Sequence, residues 1–184
     1  KDSIGYGWMG MNTSVERFDG IRLEHYMVEG SNENLKRVFA LIEMPGDELW
    51  VGTGMGLFRL ADDAEKLERL APEMITSGVH AFCKLGDVLN VGTEKGFYVY
   101  KGGVFEHVLV DKNVFSRANF VTGMVEGENG ILWLSTMGGV KSLRLSDQAI
   151  TSFSDKLAKN GQDLSFYNIT RVGSEIFMGT MTCG

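Results

Sequence analysis

The sequence has few of the residue types that mark several common classes of protein. Two cysteines, Cys83 and Cys183, are too few for a disulfide framework and lack metal-ligand spacing, so we expect one buried thiol and one near the chain end. No run of 18 apolar residues exists, which excludes a membrane-spanning helix. The net charge of −6 argues against nucleic acid or an anionic membrane as a partner, because both favour a basic face.

Catalytic and metal-binding motifs are also missing. The three histidines, His25, His80 and His107, show no H-x-H or H-E-x-x-H spacing, and there is no G-x-S-x-G elbow and no kinase ATP-site motif. Acidic residues gather in turns such as "PGDE" and "EGEN", where they serve turn geometry and solvation better than acid–base chemistry. We therefore expect a protein that is not an enzyme and has no catalytic residues, metal site or cofactor.

Length and composition favour an ordinary globular chain. With 184 residues, 43% of them apolar and 23% charged, it can bury one sizeable core. The sequence starts at Lys1 without Met or a basic-then-apolar leader, so we expect any targeting peptide to lie outside it or to have been removed.

What the sequence does contain is an internal repeat. The stretch "LWVGTGMGLF" has three glycines in five residues and suggests a phosphate loop, but the strand-like "LFRL" follows where a helix should open. Similar stretches recur, and the glycines Gly56, Gly96 and Gly139 take equivalent places in them. Their anchor positions are 40 to 44 residues apart, at Trp8, Trp50, Asn90, Trp133 and Phe177. A turn repeated once per unit explains the glycines, and the tryptophans are expected to form inter-unit core.

Each unit divides into short strands separated by hairpin signals. The second unit reads "RVFALIE", "ELWVGT" and "LFRL", followed by a more polar fourth strand. Residues 62–74, "DDAEKLERLAPEM", are rich in helix formers, but the period places the fourth strand there. Apolar runs such as "VFALI" and "VHAFC" predict first strands that are covered on both sides. The predicted fold is an all-β β-propeller with four-stranded antiparallel blades and a repeat of about 42 residues.

The predicted units are 1–28 (partial), 29–70, 71–110, 111–154 and 155–184 (partial), within one domain. The two partial units either share one blade of a small ring or belong to a larger propeller, and the sequence leaves both open. Because an unstacked sheet exposes an apolar face, we expect either a piece of a longer propeller or open edges buried against another copy.

The motif in "DELWVGTGMGLFRL" and "NGILWLSTMGGVKSLRL" resembles the two-component regulator propeller repeat, which builds the extracytoplasmic sensor domains of bacterial hybrid histidine kinases. The resemblance covers nearly the whole chain, although Asn90 stands where Trp is usual and Ser135 where Gly is usual. It implies a periplasmic, ligand-binding sensor fragment that recognises an oligosaccharide or other small polar ligand. The alternative is a protein-interaction or dimerisation propeller that binds no small molecule.

The candidate ligand site lies on the rim where blade-to-blade connections lead into the first strands. Amides, guanidinium groups and aromatic faces are the groups that bind sugars, and this rim supplies all three. The candidate ligand-binding residues are Asn34, Arg37, His80, Arg117, Asn119, Tyr167 and Asn168. Each has a simpler interpretation as a turn or packing residue.

Overall fold

The structure is a computed structural model that describes residues 2–28, 35–153 and 165–180. The backbone forms two compact units, Lys1–His80 and Ala81–Gly184. Apart from one 3-10 turn, the regular elements of the described ranges are all β-strands, so the all-β prediction is confirmed.

The first unit contains two antiparallel sheets whose strands follow chain order. The three-stranded sheet consists of β1 (Gly7–Gly10), β2 (Val15–Phe18) and β3 (Leu23–Tyr26). The four-stranded sheet consists of β4 (Val38–Met44), β5 (Glu48–Thr53), β6 (Gly56–Leu60) and β7 (Glu68–Arg69). The fourth strand expected in 62–74 is thus present, although only two residues long. Apolar residues of both sheets, including Val15, Tyr26, Leu49 and Val51, pack into one core.

The second unit repeats this construction. One four-stranded sheet consists of β8 (Val79–Leu85), which begins in the last two residues of the first unit, β9 (Val88–Thr93), β10 (Gly96–Lys101) and β11 (Val104–Val108). The next consists of β12 (Val121–Glu126), β13 (Ile131–Thr136), β14 (Gly139–Arg144) and β15 (Ala149–Ser152). A two-stranded sheet, β16 (Phe166–Val172) and β17 (Glu175–Thr180), follows. Consecutive sheets stack through residues such as Phe97, Val121 and Leu134, which is a propeller-like arrangement.

One expectation about burial is wrong. The first strands were expected to be covered on both sides, but β8 alternates between buried and partly exposed residues and β4 is only partly buried. The second strands β5 and β9 are the continuously buried ones. The reason is position, because β4 is the first strand of its sheet and has a hydrogen-bonded neighbour on one side only, whereas β5 lies between two strands.

The recurring T-x-x-G motif forms a hydrogen-bonded turn between the second and third strands. The Thr53 hydroxyl accepts the Met55 N–H at 3.0 Å and donates to the Gly56 carbonyl at 3.0 Å. Because Gly56 has a φ of 121°, a side chain there would strain the turn. The same two hydrogen bonds recur at Thr93 and Thr136. The glycine cluster therefore shapes a turn, as the repeat indicates.

Candidate functional site

A β-bulge occurs at the same place in the first strand of three sheets. In β4, Val38 pairs with Thr53 and Ala40 with Gly52, so Phe39 between them has no partner across the sheet. The registers of β12 and β16 skip Thr122 and Tyr167 in the same way. A bulge changes the direction of a side chain, and bulges are common beside functional sites. The repeat places His80 of β8 at the equivalent position, so three of these four equivalent positions, Phe39, His80 and Tyr167, carry a ring.

In the first unit, Arg37, Phe39 and His80 form a stack. The Arg37 guanidinium carbon lies 5.5 Å from the centre of the Phe39 ring, within cation–π range. The Phe39 and His80 rings are 4.1 Å apart between centroids, at an interplanar angle of 34°. Phe39 keeps 38% of its surface exposed, so the stack is open to solvent. The structure therefore brings together two of the predicted residues, Arg37 and His80, through a third that was not predicted.

Turn glycines support this region in each unit. A Cβ on Gly54 would collide with the carbonyl oxygen of Lys36, which comes just before Arg37. In the second unit a Cβ on Gly138 would lie 2.5 Å from the backbone nitrogen of Ala118, next to Arg117. Both glycines belong to turns between second and third strands, and both let the chain that enters the first strand pass close to that turn. The close contact with the glycine turn thus fixes the backbone position of each arginine, Arg37 and Arg117.

In the second unit, Arg117 lies at the surface and is anchored to the sheet that follows. Its guanidinium donates to the hydroxyl of buried Ser165 at 2.7 Å. The hydroxyl of Thr122, a bulge residue, donates to the Phe166 carbonyl at 2.6 Å. Tyr167, 47% exposed, comes directly after Phe166, and Asn168 is also exposed. These contacts tie the start of β12 to the start of β16, which carries the Tyr167 ring.

Asn119 has a different place from the one expected. It is 1% exposed and ends the 3-10 turn Arg117–Asn119. Its amide accepts the Asp111 N–H at 2.9 Å and donates to the carbonyls of Asp111 at 3.1 Å and Asn113 at 2.9 Å. With its hydrogen-bonding groups used by the loop, Asn119 shapes residues 111–119 and does not face solvent. Asn34 lies outside the described residues.

Sequence reasoning missed Phe39 and Thr122 as candidates. A signal existed, because both follow the valine that opens the first strand, as His80 does. The bulge itself has no sequence signature, since "VFA", "VHA" and "VTG" read as ordinary alternating strand. Alignment of the first strands on their opening residues, Val38, Val79, Val121 and Phe166, would have found these equivalent positions.

A separate cleft of about 360 Å³ lies in the first unit, beside β3 and the residues that follow β6. Arg17 is held there by the rings of Tyr6, Trp8 and Tyr26, whose centroids are 4.8 to 5.7 Å from its guanidinium carbon. Its guanidinium also donates to Glu24. The lining residues are Arg17, Glu24, His25, Tyr26, Asp62, Asp63, Ala64 and Glu65. The faces of these three rings are therefore already in contact with a cation, the Arg17 guanidinium.

Cys83 is a buried core residue, as one of the two thiols was expected to be. Burial, with a smaller contribution from the charge of Glu126, raises the pKa of its thiol to about 11. Within residues 2–28, 35–153 and 165–180, no three His, Cys, Asp or Glu side chains form a group that could hold a metal ion. No helix in that part of the chain has the length and apolarity needed to cross a membrane.

Comparison with known proteins supports the resemblance at the level of the fold. No protein-family model and no curated protein matches the sequence. The chain is similar to the extracellular domain of the hybrid two-component system BT4673 from B. thetaiotaomicron, with a TM-score of 0.81 and 18% identity, over 98% of this chain and 24% of that one. The corresponding domain of BT3049 from the same organism matches with a TM-score of 0.75 and 21% identity, over 98% and 26%. This chain therefore spans about a quarter of each.

An enzyme shares the fold more distantly. The gluconolactonase XC5397 from Xanthomonas campestris matches with a TM-score of 0.64 and 14% identity, over 97% of this chain and 67% of that one. The sensor domains are thus the more similar of these structures, and at such identities the likeness shows the fold alone.

Proposed function

We propose that this chain is a ligand-binding part of the periplasmic sensor domain of a bacterial two-component receptor, and that it is not catalytic. Two groups of side chains carry the proposal: in the first unit Arg37, Phe39 and His80 are in contact, and in the second unit Arg117 is anchored to Ser165, two residues before exposed Tyr167. Similarity to extracellular sensor domains supports the location and the role. In this proposal the complete receptor has further blades, and the unit boundaries 29–70, 71–110 and 111–154 mark its blades.

The ligand in this proposal is an oligosaccharide or another small polar molecule. Sugar rings pack their C–H faces on aromatic side chains, while guanidinium and amide groups bind their hydroxyls. Arg37, His80, Arg117, Tyr167 and Asn168 are the contacting residues we propose, with Asn34 completing the predicted set. Asn119 acts indirectly, because it holds the loop that leads to Arg117.

A thermal-shift screen against soluble oligosaccharides tests this function. A ligand that binds only the folded state raises the Tm by mass action, by an amount that grows with ligand concentration. We expect at least one saccharide to raise the Tm of the protein and to raise that of the Tyr167→Ala variant less. Exposed Phe177 of β17 offers a matched control, because Phe177→Ala removes a ring outside the candidate site.

A protein-interaction role is the second candidate, and one observation favours it. Phe115 is 92% exposed at the tip of the loop 111–119, next to exposed Val114. The loop is held by its own hydrogen bonds, including Asn113 N–H to Asp111 and Phe115 N–H to Asn113. A rigid loop with an apolar tip suits insertion into a partner. Concentration-dependent self-association that Phe115→Ser abolishes, without any saccharide shift, would favour this role.

A further inference from the structure

The residues before β4 have an unusual backbone. Lys36 and Arg37 have φ angles of 48° and 76°, in the left-handed region that residues other than glycine seldom adopt. Three backbone hydrogen bonds hold them there: Arg37 N–H to Asn12 at 2.9 Å, Val38 N–H to Met11 at 3.0 Å, and Gly54 N–H to the Arg37 carbonyl at 3.1 Å. Such strain persists only where the surroundings impose it, and it is concentrated at functional sites. The fold therefore fixes the point from which the Arg37 side chain leaves the backbone.

The Phe39 ring lies beside the Arg37 guanidinium, with 5.5 Å between the guanidinium carbon and the ring centroid. Stacking on an aromatic ring uses the flat face of a guanidinium, whereas its N–H donors lie in the plane and point from the edge. Phe39 also packs against the His80 ring, and this contact restricts the position of the Phe39 ring. A planar group with parallel N–H donors matches the two oxygens of a carboxylate.

The surroundings of Arg37 differ from those of other arginines in the protein. Arg17, Arg59, Arg144 and Arg171 each have a carboxylate partner, at Glu24, Glu68, Asp147 and Glu128 respectively. Across residues 2–28, 35–153 and 165–180, the structure gives Arg37 its ring contact and no ion pair with a carboxylate. Arg37 is therefore an exposed cation beside the ring of Phe39, the bulge residue of β4, in a chain whose net charge is −6.

From this arrangement we infer that the Arg37–Phe39–His80 stack binds the carboxylate of an acidic sugar, a uronic acid residue of an oligosaccharide. The guanidinium edge of Arg37 takes the carboxylate, and the sugar ring packs on the exposed part of the two rings. This inference rests on the proposed sensor function and adds the class of ligand to it. A neutral sugar would leave the charge of Arg37 uncompensated.

Calorimetric titration with matched pairs of oligosaccharides tests the inference. The probes are trimers of glucuronic, galacturonic and mannuronic acid, each beside its neutral counterpart of glucose, galactose or mannose. We expect one acidic trimer to bind at least about tenfold more tightly than its neutral counterpart, because a charge-assisted bidentate pair is made only with the acid. The affinity for the acid should fall as salt is added.

Variants assign the effect to Arg37. Arg37→Gln should weaken binding of the acidic trimer about 10- to 100-fold, and Arg37→Lys should restore part of it, because a lysine keeps the charge but loses the planar fork. Arg22→Gln is the matched control, since Arg22 is an exposed arginine in the turn between β2 and β3 and loses the same charge. The Tm and far-ultraviolet circular dichroism of each variant show whether it is folded.

The outcomes separate the inference from the function on which it rests. Acid-selective binding that is lost in Arg37→Gln and kept in Arg22→Gln supports both. Binding of a neutral trimer as tight as that of its acid, or acid binding unchanged in Arg37→Gln, overturns the inference and leaves the sensor function standing. Absence of binding by every trimer overturns the inference, and a negative result in the wider thermal-shift screen then counts against the sensor function as well.

Discussion

Asn119 closes the loop that Asp111 opens, because its side-chain amide accepts the Asp111 N–H at 2.9 Å and donates to the Asp111 carbonyl at 3.1 Å. One buried side chain thus adds to the backbone hydrogen bonds that hold these nine residues, Ser116 N–H to Asn113 and Asn119 N–H to Ser116. The result is a fixed loop that carries Phe115 at its tip and Arg117 at its end.

Removal of the Asn119 amide should therefore destabilise the protein. Asn119→Ala leaves three backbone groups of this partly buried loop without their partner, which should lower the free energy of unfolding by about 1–3 kcal/mol. Asn168→Ala, at an exposed position, should change it by less than about 0.5 kcal/mol. Urea titration monitored by fluorescence measures both. Equal midpoints for the two variants would show that Asn119 does not hold the loop.

The T-x-x-G turns are expected to contribute to stability through the threonine hydroxyl. Thr136 is buried, accepts the Gly138 N–H at 3.1 Å and donates to the Gly139 carbonyl at 2.6 Å. Thr136→Val keeps the shape and removes both bonds, at an expected loss of about 1–3 kcal/mol. Thr151→Val, on the exposed strand β15, is the control and should be close to neutral. A Thr136→Val protein with the same free energy of unfolding as the wild type would mean that the two hydroxyl hydrogen bonds do not stabilise the turn.

Gly54 couples stability to the candidate site. A Cβ at this position collides with the Lys36 carbonyl, so Gly54→Ala should lower the Tm and displace Arg37 together with Lys36. Gly179→Ala is a suitable control because a Cβ there meets nothing within 4 Å. Thermal melts in the presence and absence of a bound saccharide measure both effects. A Gly54→Ala protein that melts and binds like the wild type would contradict the close approach.

Stability in acid should depend on Glu16. Burial alone would raise the pKa of this carboxyl, but hydrogen bonds from Ser14 and His25 and the charge of His25 outweigh it and hold the pKa below its usual 4.5. A depressed folded-state pKa gives stability that is present above the unfolded-state value and is lost as pH falls through the folded-state value. Glu16→Gln should therefore lower the Tm at pH 7 and reduce its fall below about pH 4.5. Glu73→Gln, at an exposed turn position, is the control, and parallel pH curves for Glu16→Gln and the wild type would contradict the account.

The repeat predicted the strand order well because the same turn recurs between the second and third strands. Of the three recurring tryptophans only Trp50 is buried, whereas the T-x-x-G turn, with its threonine hydrogen bonds and a glycine at positive φ, occurs in all three four-stranded sheets. The repeat also placed a strand within 62–74 against local helix propensity, since the outer edge of β6 pairs with Glu68–Arg69.

The candidate site was predicted less completely. The bulge that exposes Phe39 arises from how β4 and β5 pair, and no single residue encodes that pairing. Asn119 looks the same in the sequence whether its amide faces a ligand or closes a loop. The backbone path of residues 111–119 decides which of the two roles Asn119 has. It brings the carbonyls of Asp111 and Asn113 within hydrogen-bond distance of the Asn119 amide.

The central claim is that a small polar ligand binds where the first strands begin. Amide hydrogen exchange, measured with and without a saturating saccharide from the screen, tests it most directly because it locates the binding site by segment. We predict slowed exchange in residues 36–39, 79–80, 117–122 and 165–168, and no change in the outer strand 104–108. Unchanged exchange in those four segments, with protection at residues 112–116 that grows with protein concentration instead, would contradict the claim.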